Sequence, residues 1–478
     1  MTSGEICCPA AVFGMLYSSC DCGPAREDRT IRRQRSGIPF VPPTCPQVRK
    51  RLNMNGKIEK LGAFISSQAE AHPGRTAQML AAAYDIVGMQ AAHFPSGSYT
   101  RSREYLQSYT ARLLAKLLRD PARSAVVNIF MPSEIFCALD MPIMAPEALA
   151  AYVVNTASER VFIDRAEEGG APDTFCSFHK VLTGMAETGV MKRPAMVAST
   201  SLACDANQLT FRHLASLWNV PHAMIDVPQS ADEDAVAYVA GQLRGMARTA
   251  EECAGARLNP DRLKACVARS AEQIRNFRTY LRRRSQVHFP ESLTPEMLNI
   301  ACNHLYLGTE AGLAYSRLLL EDVSRAPRRT SEKRIVWMHV LPNWQETIKD
   351  LFQGRDNHRV EIVASDLAVS ALIDMDPDHP YESMARRLVS DSFNGPGSRR
   401  IGAALELAKS MEADGILIFC QWGCKQTQGI ALAAKRTFEE AGIPALVLDG
   451  DGCDRANGGA EQIVTRANAF IEQLEEQS

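Results

Sequence analysis

Apolar residues recur along this chain in two rhythms, short unbroken runs and helical stripes, and the two alternate. From about 56 to 120 the stripe is helical, ending in Tyr105-Leu-Gln-Ser-Tyr-Thr-Ala-Arg-Leu-Leu-Ala-Lys-Leu-Leu118. Four short runs follow, each trailed by helix-patterned text: Ala125 to Phe130, Arg160 to Ile163, Pro194 to Ser199 and His222 to Val227. Four more lie nearer the C-terminus: Arg334 to Val340, Arg359 to Ala364, Gly415 to Phe419 and Ala445 to Leu448. An apolar run without polar alternation reads as a strand covered on both faces. Such strands alternating with helices build a mostly parallel, doubly wound sheet. Between the two sets the text is helical. Asn259-Pro260 supplies a cap and a first-turn proline, with Leu263, Val267, Ile274, Phe277 and Leu281 on one face, and Thr294-Pro295-Glu296 opens a second helix the same way. The predicted fold class is α/β: two doubly wound, mostly parallel-sheet domains joined by a helical segment.

The expected boundaries follow the changes of rhythm: a disordered extension over 1–53, a helical segment over 54–120, a first α/β domain over 121–230, a helical connector over 231–330 and a second α/β domain over 331–478. The extension holds no hydrophobic period. It carries Cys7, Cys8, Cys20, Cys22 and Cys45, the basic Arg32, Arg33 and Arg35, and a Pro-rich exit at Pro42, Pro43 and Pro46. No histidine or further close pair completes a metal site there.

Composition narrows the classes. Apolar residues at 46% and charged residues at 23% are ordinary for a globular chain, and a net charge of −2 offers no bulk attraction to nucleic acid or anionic lipid. There is no apolar run of about 18 residues or more, so no membrane span is expected. The first residues do not resemble a signal peptide, which points to the cytoplasm. In a reducing compartment, 14 cysteines favour metal ligation or buried thiols over disulfides.

Three of those cysteines stand where a predicted strand gives way to a helix: Cys176 in Asp173-Thr-Phe-Cys-Ser-Phe-His179, Cys204 in Ser199-Thr-Ser-Leu-Ala-Cys-Asp205, and Cys424 in Phe419-Cys-Gln-Trp-Gly-Cys-Lys-Gln426. A thiolate at a helix N-terminus is stabilised by free N–H groups, a setting suited to an anionic sulfide cluster. In parallel sheets ligands gather beyond the carboxyl ends of strands, so facing edges of two domains could clasp such a cluster. The alternative is that each cysteine is a small buried hydrophobe, the reading adopted for Cys137, Cys253, Cys266 and Cys302.

From Met54 onward the chain resembles the 2-hydroxyacyl-CoA dehydratase / benzoyl-CoA reductase family. The resemblance is carried by Lys333-Arg-Ile-Val-Trp337 with Pro342-Asn-Trp344, by Asp378-His-Pro-Tyr-Glu-Ser-Met-Ala-Arg386, Phe393-Asn-Gly-Pro396 and Arg399-Arg400, and most specifically by Trp422-Gly-Cys-Lys-Gln426 and Gly442-Ile-Pro-Ala-Leu-Val-Leu-Asp-Gly-Asp451. Pro132-Ser-Glu-Ile135, Thr174-Phe-Cys-Ser177 and the Cys204 segment match more loosely. The resemblance implies a [4Fe–4S] cluster between the domains, held by Cys176, Cys204 and Cys424 with one iron open. Cys420 departs from the pattern, as a spare thiol or a fourth ligand. Arg193-Pro-Ala-Met196 lacks the cysteine that a double cubane would need. The family's loop after the first strand lines its pocket, so Ser133 and Glu134 are candidate substrate contacts; the plainer reading is a helix N-terminus with an acid beside its dipole. Asp449-Gly-Asp-Gly452 and Asn457-Gly-Gly459 imply a structural or subunit-contact loop. Lys425 meets an anion or is simply solvated, and His179 and Cys453 read as incidental.

The implied activity is loss of water from a 2-hydroxyacyl-CoA by ketyl-radical chemistry. It is started by one electron from a separate ATP-hydrolysing activator with its own iron–sulfur cluster. This chain has no G-x-x-x-x-G-K-[ST] of its own. A homologous second subunit or a self-dimer is expected. The alternatives are ATP-dependent reduction of an aroyl-CoA and a non-catalytic electron-relay or scaffold subunit, which would show a blocked pocket around Ser133 and Glu134.

Overall fold

Eight short parallel strands form two sheets of the same strand order in this computed structural model, which describes residues 46–95, 99–289, 292–330, 332–342, 344, 346–352, 359–457 and 459–477. The first sheet runs β2-β1-β3-β4, from Ala125–Val127 (β1), Ile143–Met144 (β2), Met196–Thr200 (β3) and His222–Ile225 (β4). The second runs β6-β5-β7-β8, from Lys333–Met338 (β5), Val360–Ser365 (β6), Gly415–Gln421 (β7) and Ala445–Gly450 (β8). Every strand pair is parallel. Each sheet changes winding direction between its first and third strands. The topological switch points therefore lie between β1 and β3 and between β5 and β7, with the loops after those strands facing any ligand. The expected two-domain α/β architecture is the one observed.

Two local expectations change. The run Arg160 to Ile163 is not a strand but part of the helix Glu159–Glu168. Its apolar Phe162, Ile163 and Ala166 fall on one buried face, while Arg160 Nε donates to Asp164 Oδ1 at 2.7 Å one turn away. The edge strand is instead the two-residue Ile143–Met144, too short to stand out by pattern. At the N-terminal side, a helix already runs over Pro46–Ala69, so 46–53 of the expected extension lies in a helix. Residues 1–45 lie outside the described residues.

The helical hairpin Pro73–His93 and Arg101–Arg119 packs over the first domain. The connector holds Glu233–Ala254, Pro260–Arg284, Leu293–Leu305 and Glu310–Arg325. Asn259 caps the second of these, its side chain accepting from Asp261 N at 2.8 Å. These helices are not a loose tether. Phe136 of the first domain, Val239 and Ile274 of the connector, and Trp337 and Phe419 of the second domain all bury in one continuous apolar cluster. The two sheets are thereby held at a fixed relation. Among the described residues no helix is long and apolar enough to cross a membrane.

Candidate metal-cluster site

The turn after β3 brings Cys204 to the N-terminus of helix Asp205–Trp218, through Ala203 at φ +63°. Backbone N–H groups of Asn207 and Ala206, in the helix's first turn, act to lower the pKa of its thiol. The turn after β7 repeats the device. Gly423 at φ +78° leads into Cys424, the cap of Lys425–Gln428, whose N–H donates to Gln421 O at 3.0 Å. Cys176 caps the helix Ser177–Glu187, as expected, but no strand precedes it; the chain arrives from Glu159–Glu168 through a turn. The strand-to-helix setting thus holds for Cys204 and Cys424 and not for Cys176.

Gly423 is where the two domains touch. A β-carbon there would sit 2.8 Å from both Cys176 N and Phe175 C, so only glycine admits the approach that sets Cys424 beside Cys176. A polar clasp seals the contact. Ser177 Oγ donates to Asp451 Oδ1 at 2.6 Å, and Gln421 Nε2 donates to the same oxygen at 3.0 Å and to Ser177 Oγ at 3.2 Å. Trp422 Nε1 donates to Asp173 O at 3.2 Å, and Trp344 Nε1 to Asp451 O at 3.1 Å. Asp451, Gln421 and Ser177 are all buried. The loop over Asp449 to Gly452, expected to be structural or to contact a subunit, joins the two halves of this chain through Asp451.

The three thiols are each half-buried. Burial pushes the Cys176 thiol far above its ordinary range, and the nearby Cys204, Cys424 and Asp451 charges push it further. Cys204 is pushed up to about 12, by burial foremost and by Cys424 and Glu147, against the pull of its two N–H donors. Around Cys204 stand polar groups that the sequence did not mark. His179 Nε2 lies 3.8 Å from the Cys204 sulfur, and burial holds its ring down to about 4, neutral at physiological pH. The Glu147 carboxyl is raised to about 7 by burial. Among the described residues, His179 Nδ1, Glu147 Oε2 and both amide atoms of Asn207 are buried without a hydrogen-bond partner. Buried polar atoms left unpaired are uncommon, and their grouping near Cys204 suits a bound polar group. The donor set is soft sulfur, the kind that binds iron–sulfur clusters.

Other candidates fall elsewhere. Cys420 lies on β7 among Val336, Met338, Ile418 and Ala431, its thiol pushed up to about 12 by burial. Cys453 is fully buried in the first domain's core cluster, with Cys176 among the groups that raise it. Lys425 is exposed. Ser133 and Glu134 are both buried and fully engaged. Ser133 Oγ donates to Leu307 O at 2.7 Å; Glu134 accepts from Arg387 at 2.5 and 2.8 Å and from Ser270 Oγ at 2.7 Å. Next to Arg387, Phe130, Asn303, His304 and Asp391 line a cavity of about 10 Å³, room for one water. His288, Glu332 and Glu361 bring their ligand atoms within 4.8 Å of one another, but Arg284 and Arg329 bind Glu361 at 2.8 and 2.9 Å. Those cations make the group an internal ion-pair network.

The model of the family described as 2-hydroxyglutaryl-CoA dehydratase, D-component, matches residues 128–474, which takes in all three cysteines and every strand but β1. The chain belongs to this family. It is 21% identical to the (R)-phenyllactyl-CoA dehydratase alpha subunit of Clostridium sporogenes over 78% of this chain and 95% of that protein. It is 24% identical to the (R)-2-hydroxyglutaryl-CoA dehydratase subunit alpha of Acidaminococcus fermentans over 60% of this chain and 61% of that protein. The lactoyl-CoA dehydratase subunit alpha of Anaerotignum propionicum is 20% identical over 72% of this chain and 89% of its own length. The beta subunit of the phenyllactyl-CoA enzyme also matches, at 21% over 54% of this chain. In this dehydratase family, then, both subunit types of one enzyme are similar to the chain.

Proposed function

We propose that this chain is an iron–sulfur subunit of a 2-hydroxyacyl-CoA dehydratase, holding one [4Fe–4S] cluster on Cys176, Cys204 and Cys424. One observation carries the reading: Cys204 and Cys424 cap helices after equivalent strands of the two domains, Gly423 packs on the Cys176 backbone, and buried polar atoms near Cys204 have no partner. Left bare, Cys176 and Cys204 keep their protons because burial and neighbouring charges oppose ionisation; bound iron reverses that balance. Three ligands leave one of four irons open. Held by Cys176, Cys204 and Cys424, the cluster would supply one-electron, low-potential chemistry toward a 2-hydroxyacyl thioester, its electron coming from a separate ATP-hydrolysing activator.

The chain's own residues prepare the place. N–H groups of Asn207, Ala206 and Phe178 point charge at the sulfurs. Phe175 and Phe211 pack against the neutral His179 ring, at 6.2 and 6.4 Å between centroids, and exclude water that would quench a radical. Glu147 carries or releases a proton near neutral pH beside Cys204. Cys420 serves the core of the second sheet.

One observation favours a second reading, a subunit that relays electrons without touching substrate. Ser133 and Glu134, which the family resemblance would place against substrate, have every side-chain oxygen engaged internally, and the adjoining cavity has no room for an acyl group. Anaerobic purification with iron and sulfide assays tests the shared premise, a cluster. Adding activator, reductant and ATP then separates the chemistries. Dehydration needs catalytic reductant, ring reduction of an aroyl-CoA consumes it stoichiometrically, and steady turnover without ATP overturns the radical route. Binding of a 2-hydroxyacyl-CoA to the loaded chain separates the substrate-handling subunit from the relay.

A further inference from the structure

Two cysteines that pattern alone assigns to helix packing lie side by side with an arginine. Cys137 is half-buried on the helix Glu134–Ala138, and Cys266 is 1% exposed on Pro260–Arg284. Arg269 Nη2 stands 3.2 Å from the Cys266 sulfur and 3.9 Å from the Cys137 sulfur, while its Nε donates to Gly308 O at 2.7 Å. Cys137 Sγ also reaches Gly308 O, at 3.6 Å. Both sulfurs thus lie within 3.9 Å of one guanidinium nitrogen. The guanidinium is therefore held by a carbonyl, with its charge directed at two sulfurs. The nearest carboxylate, Glu134, is engaged by Arg387 and Ser270.

We propose that Cys137 and Cys266 form a redox-active dithiol, a modification site for low-molecular-weight disulfides, with Cys137 the attacking thiolate and Cys266 the resolving thiol. The hydrogen bond from Cys266 together with Arg269 pulls the Cys137 thiol below its ordinary range. A partly exposed, cation-flanked thiolate is the reactive kind. By contrast, burial and Glu252 raise Cys253, and burial raises Cys302. In the reaction the Cys137 thiolate attacks one sulfur of glutathione disulfide, releasing one glutathione thiolate and leaving a mixed disulfide. Cys266 then gives its proton to solvent and attacks the Cys137 sulfur, releasing the second glutathione. One small disulfide is reduced to two thiols, and two protein thiols become one bridge. That bridge would tie the helix after β1 to the connector, beside the Glu134–Arg387 pair.

The test uses the full chain, purified anaerobically and exposed to glutathione disulfide, followed by acid quenching, alkylation and non-reducing peptide mapping. The expected product joins the Cys137 and Cys266 peptides with the loss of two hydrogens. Cys266→Ser should stop at a Cys137–glutathione adduct. With iodoacetamide at pH 7, Cys137 should react first among the non-cluster thiols, and Arg269→Gln should slow it roughly tenfold. The proposal is overturned if Cys137 in the unmodified protein is alkylated no faster than Cys253, or if glutathione accumulates on Cys137 with Cys266 intact. Iron content reads the cluster independently, so failure here does not bear on the proposed function.

Discussion

The two α/β domains share one strand order but are built to different strengths. The first sheet is made of strands of three, two, five and four residues; the second, of six, six, seven and six. Short strands contribute few ladder hydrogen bonds, and the first sheet compensates with side chains. Asn128 Nδ2 donates to Thr200 Oγ1 at 3.0 Å and its Oδ1 accepts from Thr200 N at 3.1 Å, tying the ends of β1 and β3. The second sheet's equivalent edge is tied by ions. Arg400 Nε donates to Asp366 Oδ2 at 2.8 Å, and Arg400 Nη1 donates to Thr427 Oγ1 at 2.8 Å in the turn behind Cys424. At matching places after the third strand of each sheet stand Ala203-Cys204 and Gly423-Cys424, both entered through a left-handed residue. Cys176 has no such twin. A repeated fold supplied two thiols; the third heads the helix ahead of β3, whose counterpart ahead of β7, Gly397–Ser410, is capped by Pro396 instead of a cysteine.

Removing a cysteine tests that correspondence most severely. Cys204→Ala and Cys424→Ala should lower bound iron to background alike, as should Cys176→Ala, while Cys420→Ala and Cys266→Ala keep the full complement by anaerobic iron assay. Full iron in Cys424→Ala would break the pairing of the two turns.

The joint between the domains comes next. Glu134 and Arg387 are fully desolvated, and losing one partner of such a pair costs about 3–5 kcal/mol. Arg387→Met should therefore lower the urea midpoint sharply, and Glu134→Gln added to it should recover part of the loss.

Within the second domain, burial alone would raise Glu361, but Arg284, His288 and Arg329 override it and hold the carboxyl down to about 2. Its folded value lies below its unfolded one. The stabilisation is thus complete above the ordinary carboxylate range and is lost as pH falls toward about 2. Glu361→Gln should destabilise the chain at neutral pH by about 3 kcal/mol and flatten that part of the acid-unfolding curve. An unchanged acid limb would remove the network from the account of stability.

The smallest effects sharpen the comparison of the two turns. Gly423→Ala meets both a left-handed φ and the Cys176 backbone, and should cost about 1–3 kcal/mol with partial loss of iron. Ala203→Gly relieves a left-handed alanine and should stay within about 1 kcal/mol of the parent, on the stabilising side, by thermal unfolding.

Seven of the eight strands were legible as short apolar runs, because strands covered on both faces need mostly such residues whatever surrounds them. Ile143–Met144 was not, since two residues carry no period. The run at Arg160 to Ile163 misled because four residues fit a strand as well as a helix; the charged Asp164 and Glu167 on the opposite face decided it. At the site, the caps at Cys204 and Cys424 could be read from strand ends, and Cys176 from its helix. The clasp of Ser177, Gln421 and Asp451 carried no signal, because Ser177 meets its two partners 244 and 274 positions away.

By itself the sequence determined what is local: where most strands and helices run and which cysteines cap helices. Those follow from φ/ψ preference and apolar period over a few residues. The tertiary structure alone decided which distant groups meet. It set Gly423 against the Cys176 backbone, sank Ser133 and Glu134 into the domain joint, and placed Arg269 over Cys137 and Cys266. Burial, charge and close approach are properties of neighbours in space, and no one-dimensional pattern records them.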